Sequence, residues 1–202
     1  MTSLNTFSRI NISQILVKSL LLAVVMFSFS SCEDGLDNMY PNPCATTEEE
    51  KQAQLALDVD SIGDYFFNNN IDTSAMQKTA SGIHYTNLSA GTGDVLKKGD
   101  KVLVHYVGKF LDGSTFEAST TFDNSYNSNR PVKVVIGGPT QAQQVEGFIP
   151  VIEGWNEALA LMKVGEETRF YLPSYLAYGK CGSASIPPNA VLAFDMKVVQ
   201  KF

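Results

Sequence analysis

Three short stretches of this chain hold residue types that could build a ligand pocket: Val151-Ile152-Glu153-Gly154-Trp155, Tyr178-Gly179, and Ile186-Pro187-Pro188-Asn189-Ala190. Trp155 is the only tryptophan. Gly154 lets the backbone run close beneath the indole and turn into a short helix, so the ring face can serve as a cavity floor instead of core filler. Taken singly, these stretches read as a strand-to-helix junction and a Pro-Pro turn. Their order and spacing make them the wall and floor of one pocket.

No rival site assembles from the remaining reactive residue types. The two histidines, His84 and His105, have no Cys or carboxylate at ligand spacing, so no metal is expected. His105 follows strand register beside Tyr106, faces the other side of its strand, and reads as a structural residue instead of a base. Gly91-Thr92-Gly93 lacks the Lys and the strand-loop-helix setting of a phosphate loop and reads as a turn. The carboxylates of Glu48 to Glu50 need no catalytic role, because a first helical turn favours them through the helix dipole.

The elements that must position the pocket are legible from periodicity. Thr47 to Glu50 matches a capping box, and Leu55, Val59, Ile62 and Phe66 follow at helical spacing until Asn68-Asn69-Asn70. That stripe must pack on something, and the domain that follows is the plain choice over a second copy. After Ala80 the pattern changes to strands: Gly82 to Leu88, Lys101 to Phe110, Pro131 to Ile136, Glu166 to Leu172 and Val191 to Val199. Thr168, Phe170 and Leu172 fall on one face and Glu167, Arg169 and Tyr171 on the other, which predicts an antiparallel sheet with one covered side. Trp155, Ala158, Leu159 and Met162 recur at helical spacing until Gly165, so a short helix crosses the sheet's apolar face. The fold class is α+β: a curled antiparallel sheet wrapped around one short helix, with an N-terminal helical extension.

Of the 202 residues 44% are hydrophobic and 18% charged, enough for one globular domain of ordinary core size plus extra segments. Before Glu33 the only charges are Arg9 and Lys18, followed by the apolar run Leu20 to Phe29 and then Ser30-Ser31-Cys32. This reads as a secretory signal, too short to span a bilayer comfortably. Small residues directly before Cys32 resemble the lipobox of bacterial lipoproteins, which implies a lipidated Cys32 and a protein anchored at the cell envelope. Of 15 basic residues, loss of Arg9 and Lys18 leaves 13 against 21 acidic, a net charge of −8 where the whole chain has −6. Nucleic acid is excluded as a partner, since a phosphate backbone needs a basic face. The same balance leaves the lipid on Cys32 as the membrane attachment. Export would place Cys44 and Cys181 in an oxidising compartment as the only remaining thiols, so they are a candidate disulfide, with two free thiols as the alternative.

With Val102 to Phe116 (VLVHYVGKFLDGSTF) upstream and Val191 to Phe202 (VLAFDMKVVQKF) downstream, the three pocket stretches resemble the FKBP-type peptidyl-prolyl cis-trans isomerases, over Gly82 to Phe202. Charge, composition and periodicity divide the chain before Gly82 into signal peptide (1–31), acidic tether (32–46) and N-terminal helix and linker (47–81), and the resemblance implies an isomerase domain over 82–202. It implies ring-binding roles for Tyr106, Phe116, Val151, Ile152, Trp155, Tyr178, Ile186 and Phe194. Trp155 would be the floor, the Tyr178 hydroxyl a donor to one substrate carbonyl, and the Ile152 amide a donor to a second. The sequence departs from the family at Glu117, where Asp is usual, at Val132, where a Phe commonly closes one wall, and at Pro150. Two insertions flank the site, at 120–129 and 138–149.

Such a pocket suits the implied reaction. Rotation about a prolyl bond passes through a twisted amide that has lost its resonance, at a barrier of roughly 18 to 20 kcal/mol, and no bond need be broken. A dry apolar cavity favours the less polar twisted state, so neither cofactor nor metal is required. The expected substrates are Xaa-Pro segments of exported polypeptides, with tacrolimus-like macrolides as weak ligands at most. A proline-peptide-binding or chaperone-like module on the same fold is the alternative to an enzyme.

Overall fold

The N-terminal helix follows from its cap. In the computed structural model, which describes residues 42–111, 130–138 and 147–202, Thr47 is extended and its Oγ1 accepts from the Glu50 N–H at 3.1 Å. The Glu50 carboxylate accepts in return from the Thr47 N–H at 2.9 Å. This reciprocal pair satisfies amides that have no partner inside a helix, and α1 (Glu48–Asn68) starts where the capping box predicts. It ends as Asn69 and Asn70 leave the helical conformation, Asn70 at φ 51°.

Six strands follow: β1 (Gln77–Lys78), β2 (His84–Ser89), β3 (Lys101–Phe110), β4 (Val132–Val135), β5 (Glu167–Leu172) and β6 (Leu192–Lys201). They form one curled antiparallel sheet in the order β1-β2-β5-β6-β3-β4. Five of them lie where alternation predicts, within a few residues. The two-residue β1 carries no pattern of its own and exists because Gln77 and Lys78 pair with Tyr85 and His84. Helix α2 (Glu153–Ala160) packs Trp155, Ala158 and Leu159 onto one face of the sheet, against Val102, Val104, Tyr106, Phe170, Leu172, Phe194 and Met196.

The other face corrects the expectation of a sheet with a single covered side. Tyr171 is 1% exposed, although its register puts it opposite Phe170 and Leu172. Helix α1 lays Ile62 and Phe66 over it, and Val191 and Ala193 complete a second cluster. The Phe66 ring meets Tyr171 edge-on with centroids 4.8 Å apart. Each buried side chain of this kind contributes about 1.5 to 3 kcal/mol, so the stripe read from the sequence docks on this sheet. Leu55 and Val59 are only half buried and lie over Gly82, where an added methyl would strike the Leu55 side chain.

Residues Pro43–Phe202 make up one unit. Cys32, the signal segment, Phe116, Glu117 and the insertion at 120–129 lie outside the described residues, as does most of the insertion at 138–149. Among the described residues, no helix is long and apolar enough to cross a membrane.

Candidate active site

Strand register brings the first wall together. Tyr106 of β3 and Phe194 of β6 project from adjacent strands, since Gly108 pairs with Phe194 and Tyr106 with Met196. Both side chains lean on Trp155 of α2. Tyr106 and Trp155 are 4.8 Å apart between ring centroids at 77°, Trp155 and Phe194 are 5.5 Å apart at 86°, and Tyr106 and Phe194 are 6.4 Å apart. Edge-to-face contacts of this kind add roughly 0.5 to 1.5 kcal/mol each beyond area burial, so the three rings hold one another in place.

Trp155 is held low in the sheet by what surrounds it. Ile152 caps α2 in an extended conformation and accepts from the Trp155 N–H at 3.0 Å. Its own amide therefore stands outside the helical ladder. A Cβ at Gly154 would lie 2.8 Å from Leu172 and 3.0 Å from the Leu176 carbonyl, so the start of α2 approaches β5 and the turn after it closely. Asn156, 7% exposed, accepts from the Gly137 N–H at 2.8 Å and fastens α2 to the end of β4.

All eight described residues of the expected pocket belong to one apolar cluster. Tyr106, Val151, Trp155 and Phe194 are buried in it, and Val132, Ile152, Tyr178 and Ile186 pack against it half exposed. Buried rings at the base and half-exposed residues above them are what a concave site open to solvent requires. The rim carrying Ile186 is drawn tight. Ser183 and Ile186 exchange backbone hydrogen bonds at 2.9 and 2.6 Å, and the Asn189 N–H donates to the Gly179 carbonyl at 2.8 Å. Gly182 sits at φ 64° against Ile186 and Pro187, where any Cβ would collide with the Ile186 carbonyl.

Tyr178 lies between two short 3-10 turns, Ser174–Leu176 and Gly179–Cys181. Sequence reading missed what holds the first of these. Asp58 of α1, 2% exposed, accepts from both the N–H and the Oγ of Ser174, at 2.7 and 2.8 Å, and from Gln54 Nε2 at 2.8 Å. The signal was available: Asp58 falls on the same helical stripe as Leu55 and Ile62, and a carboxylate on a buried stripe needs hydrogen-bond partners. Cys44 and Cys181 are joined by a disulfide, with Cα atoms 5.4 Å apart. A cleft of about 500 Å³ runs between α1 and this segment, bordered by Gln54, Leu57, Tyr175 and Tyr178 among others.

The ionic groups lie away from the rings. Asp195 follows Phe194 and so faces the other side of the sheet, where it binds Lys109 Nζ at 3.0 Å and the Arg169 guanidinium. Burial pushes its carboxyl up, but Arg169 and Lys109 together outweigh that and hold it below the usual carboxylate range. His105 also lies on that side, alternating with the buried Tyr106. Among the described residues no group of three or more His, Cys, Asp or Glu could hold a metal.

The arrangement is a curled antiparallel sheet closed over a short helix, with an indole packed against two further rings in one apolar cluster. Comparison with known proteins agrees. The family model for FKBP-type peptidyl-prolyl cis-trans isomerases matches residues 93–199. The chain is 35% identical over 144 residues to the FKBP-type peptidyl-prolyl cis-trans isomerase FkpA of Aeromonas hydrophila, covering 71% of this chain and 47% of that protein. The crystal structure of FkpA from Escherichia coli superposes with a TM-score of 0.55 at 26% identity, over 96% of this chain and 83% of that one. A peptidyl-prolyl cis-trans isomerase structure from Pseudomonas syringae gives 0.54 at 25% identity, over 77% of this chain and 98% of that one. The chain belongs to the FKBP-type peptidyl-prolyl cis-trans isomerase family. It spans about half the length of the curated relatives it matches.

Proposed function

We propose that this chain is a peptidyl-prolyl cis-trans isomerase that acts on Xaa-Pro segments of exported polypeptides at a bacterial cell envelope, held there by a lipid on Cys32. The observation that carries the reading is the buried contact of Tyr106 and Phe194 with Trp155. A prolyl ring seated on that indole leaves its own amide in a dry setting, where the twisted state of low resonance is the less penalised one. Val132, Val151 and Ile186 flank the ring. The Tyr178 hydroxyl and the Ile152 N–H hold the substrate backbone on either side. Phe116 and Glu117 join the site on the family resemblance alone.

The chain divides, on this reading, into signal peptide (1–31), tether (32–46), helix and linker (47–81) and isomerase domain (82–202). An oxidising compartment suits the Cys44–Cys181 bond. Tacrolimus-like macrolides bind weakly, because Val132 leaves open a side that a larger ring would close. The test is kcat/KM on a short Xaa-Pro peptide. Turnover well above the spontaneous rate is expected; a folded protein at the spontaneous rate would move the chain to the binding-module class.

A further inference from the structure

The segment from Ser174 to Cys181 carries Tyr178, and residues that precede the sheet grip it on both sides of that tyrosine. On the near side, Asp58 of α1 accepts two hydrogen bonds from Ser174, which is itself fully buried. On the far side, Cys44 is bonded to Cys181, and Lys180 Nζ reaches Glu50 at 3.3 Å and the Ala45 carbonyl at 3.5 Å. Between them the Tyr175 hydroxyl donates to the Ser81 carbonyl at 2.8 Å.

The strengths of these attachments differ. The Lys180–Glu50 pair is exposed on both sides and adds little. Asp58 is another matter. A carboxylate this deeply buried is costly unless every hydrogen bond is made, and those bonds go to the opening residue of the 3-10 turn, whose amides have no partner within the turn. The disulfide fixes the other end covalently. A segment of two short 3-10 turns has little internal hydrogen bonding to hold its shape, so its path is set by what grips it.

We propose that Asp58, together with the Cys44–Cys181 crosslink, is a positioning residue of the isomerase site: the N-terminal arm sets where the Tyr178 side chain stands. The proposal rests on the reading of the aromatic cluster as the prolyl site. Asp58 touches no substrate. It acts through Ser174 on Tyr178, and its loss lets the segment drift by enough to misalign a single hydrogen bond, which is worth about three- to tenfold in rate.

A double-mutant cycle on the full mature chain separates this from a role in stability alone. Asp58→Ala is expected to lower kcat/KM on an Xaa-Pro peptide by about three- to tenfold in the presence of Tyr178. In a Tyr178→Phe background the same substitution should change it by less than about twofold, because the hydrogen bond it aligns is already absent. Equal factors in both backgrounds, or no effect in a folded Asp58→Ala protein, overturn the positioning role. Should Asp58→Ala not fold, the cycle is run with Ser174→Ala, which removes only the hydroxyl bond, and with Cys181→Ala, and the same coupling decides. A wild type with no turnover above the spontaneous rate overturns the site reading itself and the positioning role with it, whereas uncoupled effects in an active enzyme overturn the positioning role alone.

Discussion

Trp155 and Phe194 meet at 86° with ring centroids 5.5 Å apart, and Tyr106 closes the third side of the same buried group. None of these rings can be removed without opening space beneath the others. Phe194→Ala should therefore cost about 3 to 5 kcal/mol in stability, and in the protein that remains folded it should lower kcat/KM by well over tenfold. Tyr178→Phe deletes one hydrogen bond of roughly 0.5 to 1.5 kcal/mol and should slow turnover by about tenfold or less. Peptide kinetics on both variants, with folding followed by near-UV circular dichroism, check the order. A Tyr178→Phe enzyme slower than Phe194→Ala would show that the hydroxyl, not the dry ring site, dominates.

Asp195 offers the opposite test, because it neighbours Phe194 in sequence yet faces away from the rings. Asp195→Ala strands Lys109 and Arg169 against the sheet and should destabilise by about 1 to 3 kcal/mol while leaving kcat/KM of the folded enzyme unchanged. Its carboxyl is held below its unfolded value, so the stability it contributes is present above about pH 4 and is lost as pH falls through the lower native value. Chemical denaturation at pH 7 and pH 3 reads both effects: the gap between wild type and Asp195→Ala should narrow in acid.

His84 sets a second pH dependence of the same sign. Burial, with Lys78 beside it on β1, holds its imidazole below the usual value, against a smaller opposing hydrogen bond at Gly82. Its ring lies 5.9 Å from Phe66, at the seam where α1 meets the sheet. Above about pH 6.5 the residue is neutral in both states; below it the unfolded chain takes up a proton that the native one resists, so stability declines as pH falls toward the native value. A His84→Asn protein should show a flatter melting temperature between pH 7.5 and about pH 5.5. An unchanged slope would place the dependence elsewhere.

Local rules made much of this molecule legible. The capping box set the start of α1, alternation set β3 and β5, and the spacing around Trp155 set α2, whereas the eight described pocket residues were named by the family resemblance and fall in one apolar cluster. What escaped was decided by contacts distant in sequence. Tyr171 reads as solvent-facing from its strand alone and is buried only because Phe66 arrives from a helix that precedes the sheet. Asp58 has no partner within its own helix beyond Gln54, and its meaning comes from Ser174, 116 residues on. Gly154 is required by Leu172 and Leu176, which no spacing around the tryptophan could name.

Cys32 is expected to carry a lipid, since the apolar segment and the shift to acidic sequence both meet at that residue. Metabolic labelling with a fatty-acid analogue should mark the wild type and fail to mark Cys32→Ser, which should appear in the soluble fraction. Label that survives the substitution would end the idea.

Removing the Cys44–Cys181 bond tests the fold and the compartment together. The two residues are 137 apart, so the crosslink closes a loop that includes nearly the whole domain. The chain-entropy model for a loop of this length gives roughly 4 to 5 kcal/mol, an upper figure because a compact unfolded state has less entropy to lose. Cys44→Ser should therefore lower the unfolding free energy by several kcal/mol at most, and with it the denaturation midpoint, without changing the burial of the Trp155 ring, whose neighbours lie on β3, β6 and α2. Thiol counting on unfolded, unreduced protein should find neither Cys44 nor Cys181 free. Tryptophan fluorescence reports the ring directly, since Trp155 is the only indole in the chain. A midpoint that stays put, with two free thiols in the wild type, would mean the arm is held by Asp58 and the Ile62 and Phe66 contacts alone.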